Sequence, residues 1–179
     1  MNAGMFDEQG QPIGLFVEDG RQLHRINLRN GGGNFHLLPN GVFLVRKSGK
    51  TEIVRSSDYR PSPDIRFATQ SGPMLVIDGK VHPKLDPDGE SRNIRNGVGI
   101  KANGNPVFVI SEESVSFGKF ARFFRDALGV RNALYFDGNV SSLWDPVNGR
   151  RDTHNELGPL VVVFKDGESA PGRASRARS

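Results

Sequence analysis

Apolar residues recur along this chain in two rhythms, and the change from one to the other predicts where the elements lie. Phe117, Phe120, Ala121, Phe124 and Leu128 fall at i, i+3, i+4, i+7 and i+11, one face of a 3.6-residue period, so a helix is predicted there. Ser116 precedes it as a candidate N-cap, whose hydroxyl accepts a bond from a first-turn N–H. Gly129 follows, where a left-handed residue can close a helix without a Cβ clash. Ala133-Leu134-Tyr135-Phe136 is then apolar without interruption, which suits a strand buried on both faces. That run stops at Asp137-Gly138-Asn139-Val140-Ser141-Ser142, a carboxylate, a glycine, an amide and two hydroxyls. Asp-Gly after an apolar run is a strong turn signal, and a plain turn is its simplest reading. The hydroxyls and N–H groups that follow also suit an anion-binding nest, and polar groups at the end of a rigid strand are well placed for a site.

Short runs separated by turns fill the rest. A strand is predicted at the opening residues 1–6, then at 13–17, and after the turn Asp19-Gly20 at 23–28, where apolar and polar residues alternate. Gly31-Gly32-Gly33 is a loop. A hairpin is predicted from 34–38 and 42–45 about Pro39-Asn40-Gly41, followed by Ser48-Gly49-Lys50 and a strand at 51–54. Ser62-Pro63-Asp64 carries a capping hydroxyl, a first-turn proline and an acid, so a short helix is predicted over 63–70, ended by Gly72 and Pro73. Residues 74–77 form a buried strand that turns at Asp78-Gly79 toward Val81. Residues 84–95 form a polar loop that approaches or covers a site. A hairpin from 97–101 and 107–110 about Asn103-Gly104 and a last strand at 160–164 complete the pattern. The expected fold is α+β, mostly antiparallel β-sheet built of hairpins, with about two packed helices and no internal repeat.

Composition narrows the function classes. At 179 residues the chain suits one domain with a substantial core. No run of about 18 apolar residues encodes a membrane span, and the N-terminus has no secretory-signal pattern. There is no cysteine, which removes disulfides and thiolate chemistry. The net charge of +4 owes much to Arg150, Arg151, Arg173, Arg176 and Arg178. Beyond residue 166 there is almost no large apolar side chain, so residues 1–166 are expected to form the domain and 167–179 a solvated, disordered basic tail. Nucleic-acid binding through that tail is the weakest class, because no aromatic stacking platform accompanies the charge. His24, His36, His82 and His154 are scattered without metal-ligand spacing, so neither a transition metal nor another cofactor is expected; an oxygen-ligated Ca²⁺ or Mg²⁺ is left open. With no histidine placed near Ser141 or Ser142, serine nucleophilic catalysis is disfavoured.

Four stretches, in order, resemble one family: Asn2-Ala3-Gly4-Met5-Phe6, Gln70-Ser71-Gly72-Pro73-Met74-Leu75-Val76, Arg95-Asn96-Gly97-Val98-Gly99, and Phe136-Asp137-Gly138-Asn139-Val140-Ser141-Ser142. Spanning about residues 2–144, they are similar to the phosphodiester glycosidase family, the N-acetylglucosamine-1-phosphodiester alpha-N-acetylglucosaminidase-like domains with bacterial exopolysaccharide-associated members. Two departures stand out. Asn96-Gly97 takes the place of Thr-Ala, and Asn139-Val140 replaces two glycines, putting a side chain where bare backbone would approach a ligand.

The resemblance implies hydrolysis of the glycosidic bond of a sugar phosphodiester in an envelope or surface glycan. It implies Asp137 as general acid–base or sugar-orienting group, and Arg95 as a planar fork for phosphate oxygens. The plainer role for Arg95 is an ion pair with Asp86 or Asp88. Asn2 would hydrogen-bond the sugar, brace the Asp137 loop or cap backbone, while Gly138, Asn139, Ser141 and Ser142 would contact substrate. Glycosidases commonly use two carboxyl groups, and the second would come from Asp78, Asp86 or Glu90. The alternative is a non-catalytic glycan- or phosphate-binding module, favoured by the lost glycines and the unassigned second carboxylate. By family habit the location is periplasmic or extracellular, with the cytoplasm left open by the missing signal; relatives carry sequence before this opening, so a start upstream of Met1 is an expectation.

Overall fold

In the computed structural model, which describes residues 1–164, alternation along the strands sets the layers. The strands are β1 (Phe16–Glu18), β2 (Arg21–His24), β3 (Gly41–Arg46), β4 (Thr51–Arg55), β5 (Ile65–Ser71), β6 (Met74–Ile77), β7 (Lys80–Val81), β8 (Asn96–Ile100), β9 (Pro106–Ile110), β10 (Ala133–Asp137), β11 (Trp144–Asp145) and β12 (Arg150–Arg151), with the helix α1 (Phe117–Arg122) between β9 and β10. One sheet has the order β2-β1-β5-β3-β4, a second β7-β6-β10-β8-β9, and β11-β12 make a small hairpin; all of these pairings are antiparallel.

Successive side chains of β10 go to opposite faces. Ala133 and Tyr135 pack with Leu75, Val76, Phe120, Ala121 and Phe124 on the helix side, while Leu134 and Phe136 pack with Phe43, Ile53, Met74 and Val98 between the sheets. On β3, Phe43 joins that inter-sheet layer, whereas Val42 and Leu44 join Leu15, Val17, Tyr59, Ile65 and Ala68 on the outer face. Both runs are unbroken because each strand has apolar neighbours on both sides. Each large side chain so buried stabilises the fold by about 1.5–3 kcal/mol. The helix starts as predicted, with Ser116 Oγ accepting the Lys119 N–H at 3.1 Å, and ends through a π-helical turn, Phe123–Ala127, and Gly129 at φ +62°. It lies close on β8: a Cβ on Gly99 would stand 2.9 Å from Phe124.

Four expectations fail. Residues 65–71 are the central strand β5, so no helix covers 63–70; Ser62 Oγ accepts the Asp64 N–H at 3.2 Å and its carbonyl the Ile65 N–H at 3.1 Å, a turn that uses the same residues as a helix start. Residues 34–36 form a 3-10 turn, closed by Asn40 Nδ2 donating to the Phe35 carbonyl at 2.9 Å, and not a hairpin strand. Neither the opening nor the segment around Leu160 forms a strand: they meet at the isolated Asn2–Leu160 bridge, where Met1 and Val161 exchange two bonds (3.1 and 2.9 Å) and the Ala3 N–H binds the Pro159 carbonyl (2.8 Å), with Val162 and Val163 exposed. Among the described residues the fold is therefore sheet-rich with one helix, not two. The basic tail expected at 167–179 lies outside the described residues. Among the described residues no helix is long and apolar enough to cross a membrane.

Candidate functional site

β10, the central strand of its sheet, carries Asp137 to the edge of the core, where the residue is 9% exposed. Asp137 Oδ1 accepts the N–H groups of Gly138 (2.5 Å), Asn139 (2.7 Å) and Val140 (3.4 Å). An aspartate folding back onto the N–H groups just after it is a common local turn. The expected nest therefore exists but holds its own carboxylate. No hydrogen bond among the described residues reaches Oδ2. Ser141 Oγ donates to the Asp137 carbonyl at 3.1 Å, and Ser142 Oγ to the Val140 carbonyl at 2.9 Å; both hydroxyls brace the loop. Asn139 is exposed.

A chain of amides fixes this loop to the N-terminus. The Asp137 N–H donates to Asn96 Oδ1 at 2.9 Å, which orients the Asn96 amide. Asn96 Nδ2 then donates to Asn2 Oδ1 at 2.6 Å, and the same oxygen accepts the Ser142 N–H at 2.9 Å. Asn2 thus braces the loop, one of its expected roles. Its Nδ2, in a residue only 1% exposed, has no acceptor among the described residues. A buried donor left so costs about 1–3 kcal/mol. Asn96 is the bracing residue whose part in this loop the sequence does not show, since it stands there only as a departure from Thr; its position directly across from Asp137 in the β8–β10 ladder is what lets it brace the loop.

Arg95 is fully buried and lies under the same loop. Its Nε donates to the Val115 carbonyl (2.8 Å), Nη2 to the Ser91 carbonyl (2.9 Å) and Ser91 Oγ (3.3 Å), and Nη1 to the Tyr135 hydroxyl (3.2 Å). The Phe117 ring stacks 3.6 Å from the guanidinium carbon. The ion pair with Asp86 or Asp88 does not form; Arg122 takes Asp88 at 3.3 Å instead. No carboxylate pairs with Arg95 among the described residues. Burial pulls its pKa down, opposed by Tyr135, and burial pushes the Tyr135 hydroxyl up, with Arg95 opposing and the Asp137 charge adding. A Cβ on Gly138 would collide with the Tyr135 hydroxyl and stand 3.3 Å from Arg95 Nη1. Arg95 and Asp137 therefore converge on Gly138, but the edges of the fork are spent inside the protein, beneath the loop.

The three candidate second carboxylates are placed elsewhere in the bonding network. Asp78 pairs with Arg55 at 2.8 Å, and its N–H binds Asn132 Oδ1 at the start of β10, about 17 Å of strand away from Asp137. Asp86 Oδ1 accepts the Asp88 N–H at 2.9 Å, and Glu90 is exposed. The carboxylate bonded next to the loop is Asp152, whose Oδ2 accepts the Leu143 N–H at 3.0 Å and pairs with Arg150 at 3.0 Å. Burial alone would raise its pKa, but Arg150 and the Leu143 N–H bring it below the ordinary carboxylate value. No group of three or more His, Cys, Asp or Glu that could hold a metal occurs among the described residues. A groove of about 640 Å³ lined by His24, Arg25 and Leu28 runs along the other sheet and includes none of the site residues.

A sheet-rich domain whose central strand ends in a carboxylate loop, cross-braced from the N-terminus, is the scaffold of a glycosidase-type hydrolase family. The family model described as phosphodiester glycosidase matches residues 1–164, and the chain belongs to that family. It is 43% identical over 144 residues to the "Uncharacterized protein YigE" of Escherichia coli (strain K12), covering 80% of this chain and 56% of that protein. Among solved structures it is similar to the zebrafish N-acetylglucosamine-1-phosphodiester alpha-N-acetylglucosaminidase catalytic domain auto-inhibited by pro-peptide, with a TM-score of 0.56, 22% identity, and coverage of 78% of this chain and 50% of that one. At that identity the likeness is one of fold. The chain spans about half the length of the relatives it matches.

Proposed function

We propose that this protein hydrolyses the glycosidic bond of a sugar phosphodiester in an envelope or cell-surface glycan, outside the cytoplasm. The observation that supports this reading most is the meeting at Gly138 of a carboxylate with one uncommitted oxygen and a buried guanidinium without a carboxylate counter-ion. A phosphodiester supplies the missing negative charge, and Arg95 acts on it through its field and the Tyr135 hydroxyl instead of gripping it. Asp137 Oδ2 takes the proton of the water that attacks the anomeric carbon. The departing phosphate monoester carries its charge on its own oxygens, so the demand on a second carboxyl is lower than for an ordinary glycoside. Asn2, Asn96, Ser141 and Ser142 hold the loop in one register, and Gly138 and Asn139 present its outer edge.

One observation favours a second reading. No second carboxylate bonds into the Asp137 loop among the described residues, and a non-catalytic glycan- or phosphate-binding module needs none. Incubating the purified chain with a panel of sugar-1-phosphodiesters and measuring both binding and released sugar decides between them. Release of free sugar is expected. Saturable binding with no release decides for the module.

A further inference from the structure

Two residues beyond Ser142 the chain enters the β11–β12 hairpin. Its root is closed by the Leu143 N–H on Asp152 Oδ2 (3.0 Å) and the Asp152 N–H on the Leu143 carbonyl (3.1 Å). The register sets Trp144 opposite Arg151 and Asp145 opposite Arg150, and residues directly opposite share a face. Arg150 belongs to the face that meets the body, since it pairs with Asp152 at 3.0 Å and Glu112 at 2.8 Å. Trp144 and Arg151 therefore lie on the outward face. The indole is 57% exposed, and the Arg151 guanidinium carbon is 5.5 Å from its ring centroid. Ser142 is tied to Asn2, and two residues of chain can separate it from Trp144 by at most about 7 Å. That bound puts the start of β11 within one sugar ring of Ser142, the last residue of the Asp137 loop.

An indole with a guanidinium over its ring and more than half of its surface exposed suits a sugar phosphate: the C–H face of the ring stacks on the part of the indole that Arg151 leaves open, and phosphate oxygens meet the guanidinium. We infer that Trp144 and Arg151 form a sugar-binding platform at the rim of the Asp137 loop, taking the ring next to the reacting phosphodiester of an anionic glycan. The identity of the ligand rests on the proposed function. A cross-strand Trp–Arg pair that merely steadies the hairpin makes a different prediction, because ligand would then not sense it.

Trp144 is the only tryptophan in the chain, so its emission reports on this platform alone. The full chain carrying Asp137→Asn, chosen so that diesters are not consumed, is titrated with glucose 1-phosphate, N-acetylglucosamine 1-phosphate and the methyl diester of each, with calorimetry in parallel. A saturable change in emission is expected. In the same background Trp144→Ala and Arg151→Ala should each weaken binding about tenfold, and Trp144→Phe, which keeps an aromatic face, by no more than about threefold. Calorimetric binding with silent emission, unchanged affinity in Trp144→Ala, or no saturable response to any of the four compounds overturns the platform. Wild-type turnover with a silent Trp144 removes the platform and leaves the hydrolase standing. A responding Trp144 without turnover does the reverse.

Discussion

The two central strands, β5 and β10, each bring a buried polar side chain to their C-terminal end, and they leave it in different states. On β5, Gln70 Oε1 accepts the N–H groups of Leu15 and Asn27, both at 2.9 Å, and Nε2 donates to the Asn27 carbonyl (2.7 Å) and Ser56 Oγ (3.1 Å). Every bonding position of that amide is used, and all the partners belong to the fold. At the end of β10, Asp137 keeps one oxygen, Asn2 keeps an amide nitrogen without an acceptor, and Arg95 keeps a buried charge without a carboxylate. A closed polar network specifies structure, whereas one with open valences has affinity left for something outside the fold. The difference separates a structural polar core from a candidate site, although the two look alike in residue type.

Substitutions can break this contrast from either side. Gln70→Leu leaves the Leu15 N–H and both Asn27 backbone groups without partners, and should cost about 3 kcal/mol, seen as a fall in Tm of roughly 9 °C. A loss smaller than about 1 kcal/mol would mean that the closed network is not structural. Gly138→Ala drives a Cβ into the Tyr135 hydroxyl and should cost about 2 kcal/mol, most of it recovered when Tyr135→Phe is added in the same chain. Chemical denaturation of the two single variants and the double variant measures that coupling. Arg95→Met relieves a buried cation that no carboxylate compensates, and this gain offsets most of the cost of leaving the Ser91 carbonyl and Tyr135 hydroxyl without their donor, so stability should move by only about 1 kcal/mol while turnover falls. A loss comparable with that of Gln70→Leu would make Arg95 part of the fold instead. The smallest effect is one of pH. Asp152 has its pKa lowered in the folded state, so its contribution is present above the ordinary carboxylate value and is lost as pH falls through the folded value. Asp152→Asn should therefore flatten part of the decline in Tm below about pH 4.

Much of this arrangement was legible in the sequence where one signal pointed one way. The unbroken run 133–136 and its abrupt polar end marked β10 and Asp137, and Ser116 and Gly129 marked the ends of the helical segment. Ser62-Pro63-Asp64 misled because a hydroxyl two residues before an N–H serves a turn as well as a helix cap, and only the pairing of β5 with β1 and β3 settles which forms. Asn96 was hidden for a similar reason: its meaning comes from standing across the ladder from Asp137, 41 positions along the chain. Arg95 was visible as a cation near a site, but the four groups that hold its fork come from three separate segments, which local pattern does not bring together.

The central claim is that the uncommitted oxygen of Asp137 does chemistry. Asp137→Asn is the direct probe, because the new amide oxygen can still accept the three loop N–H groups while the second position loses its basicity. Hydrolysis of the best diester of the panel by this variant should fall about a thousandfold with Tm unchanged. A rate equal to that of the unaltered chain would contradict the account.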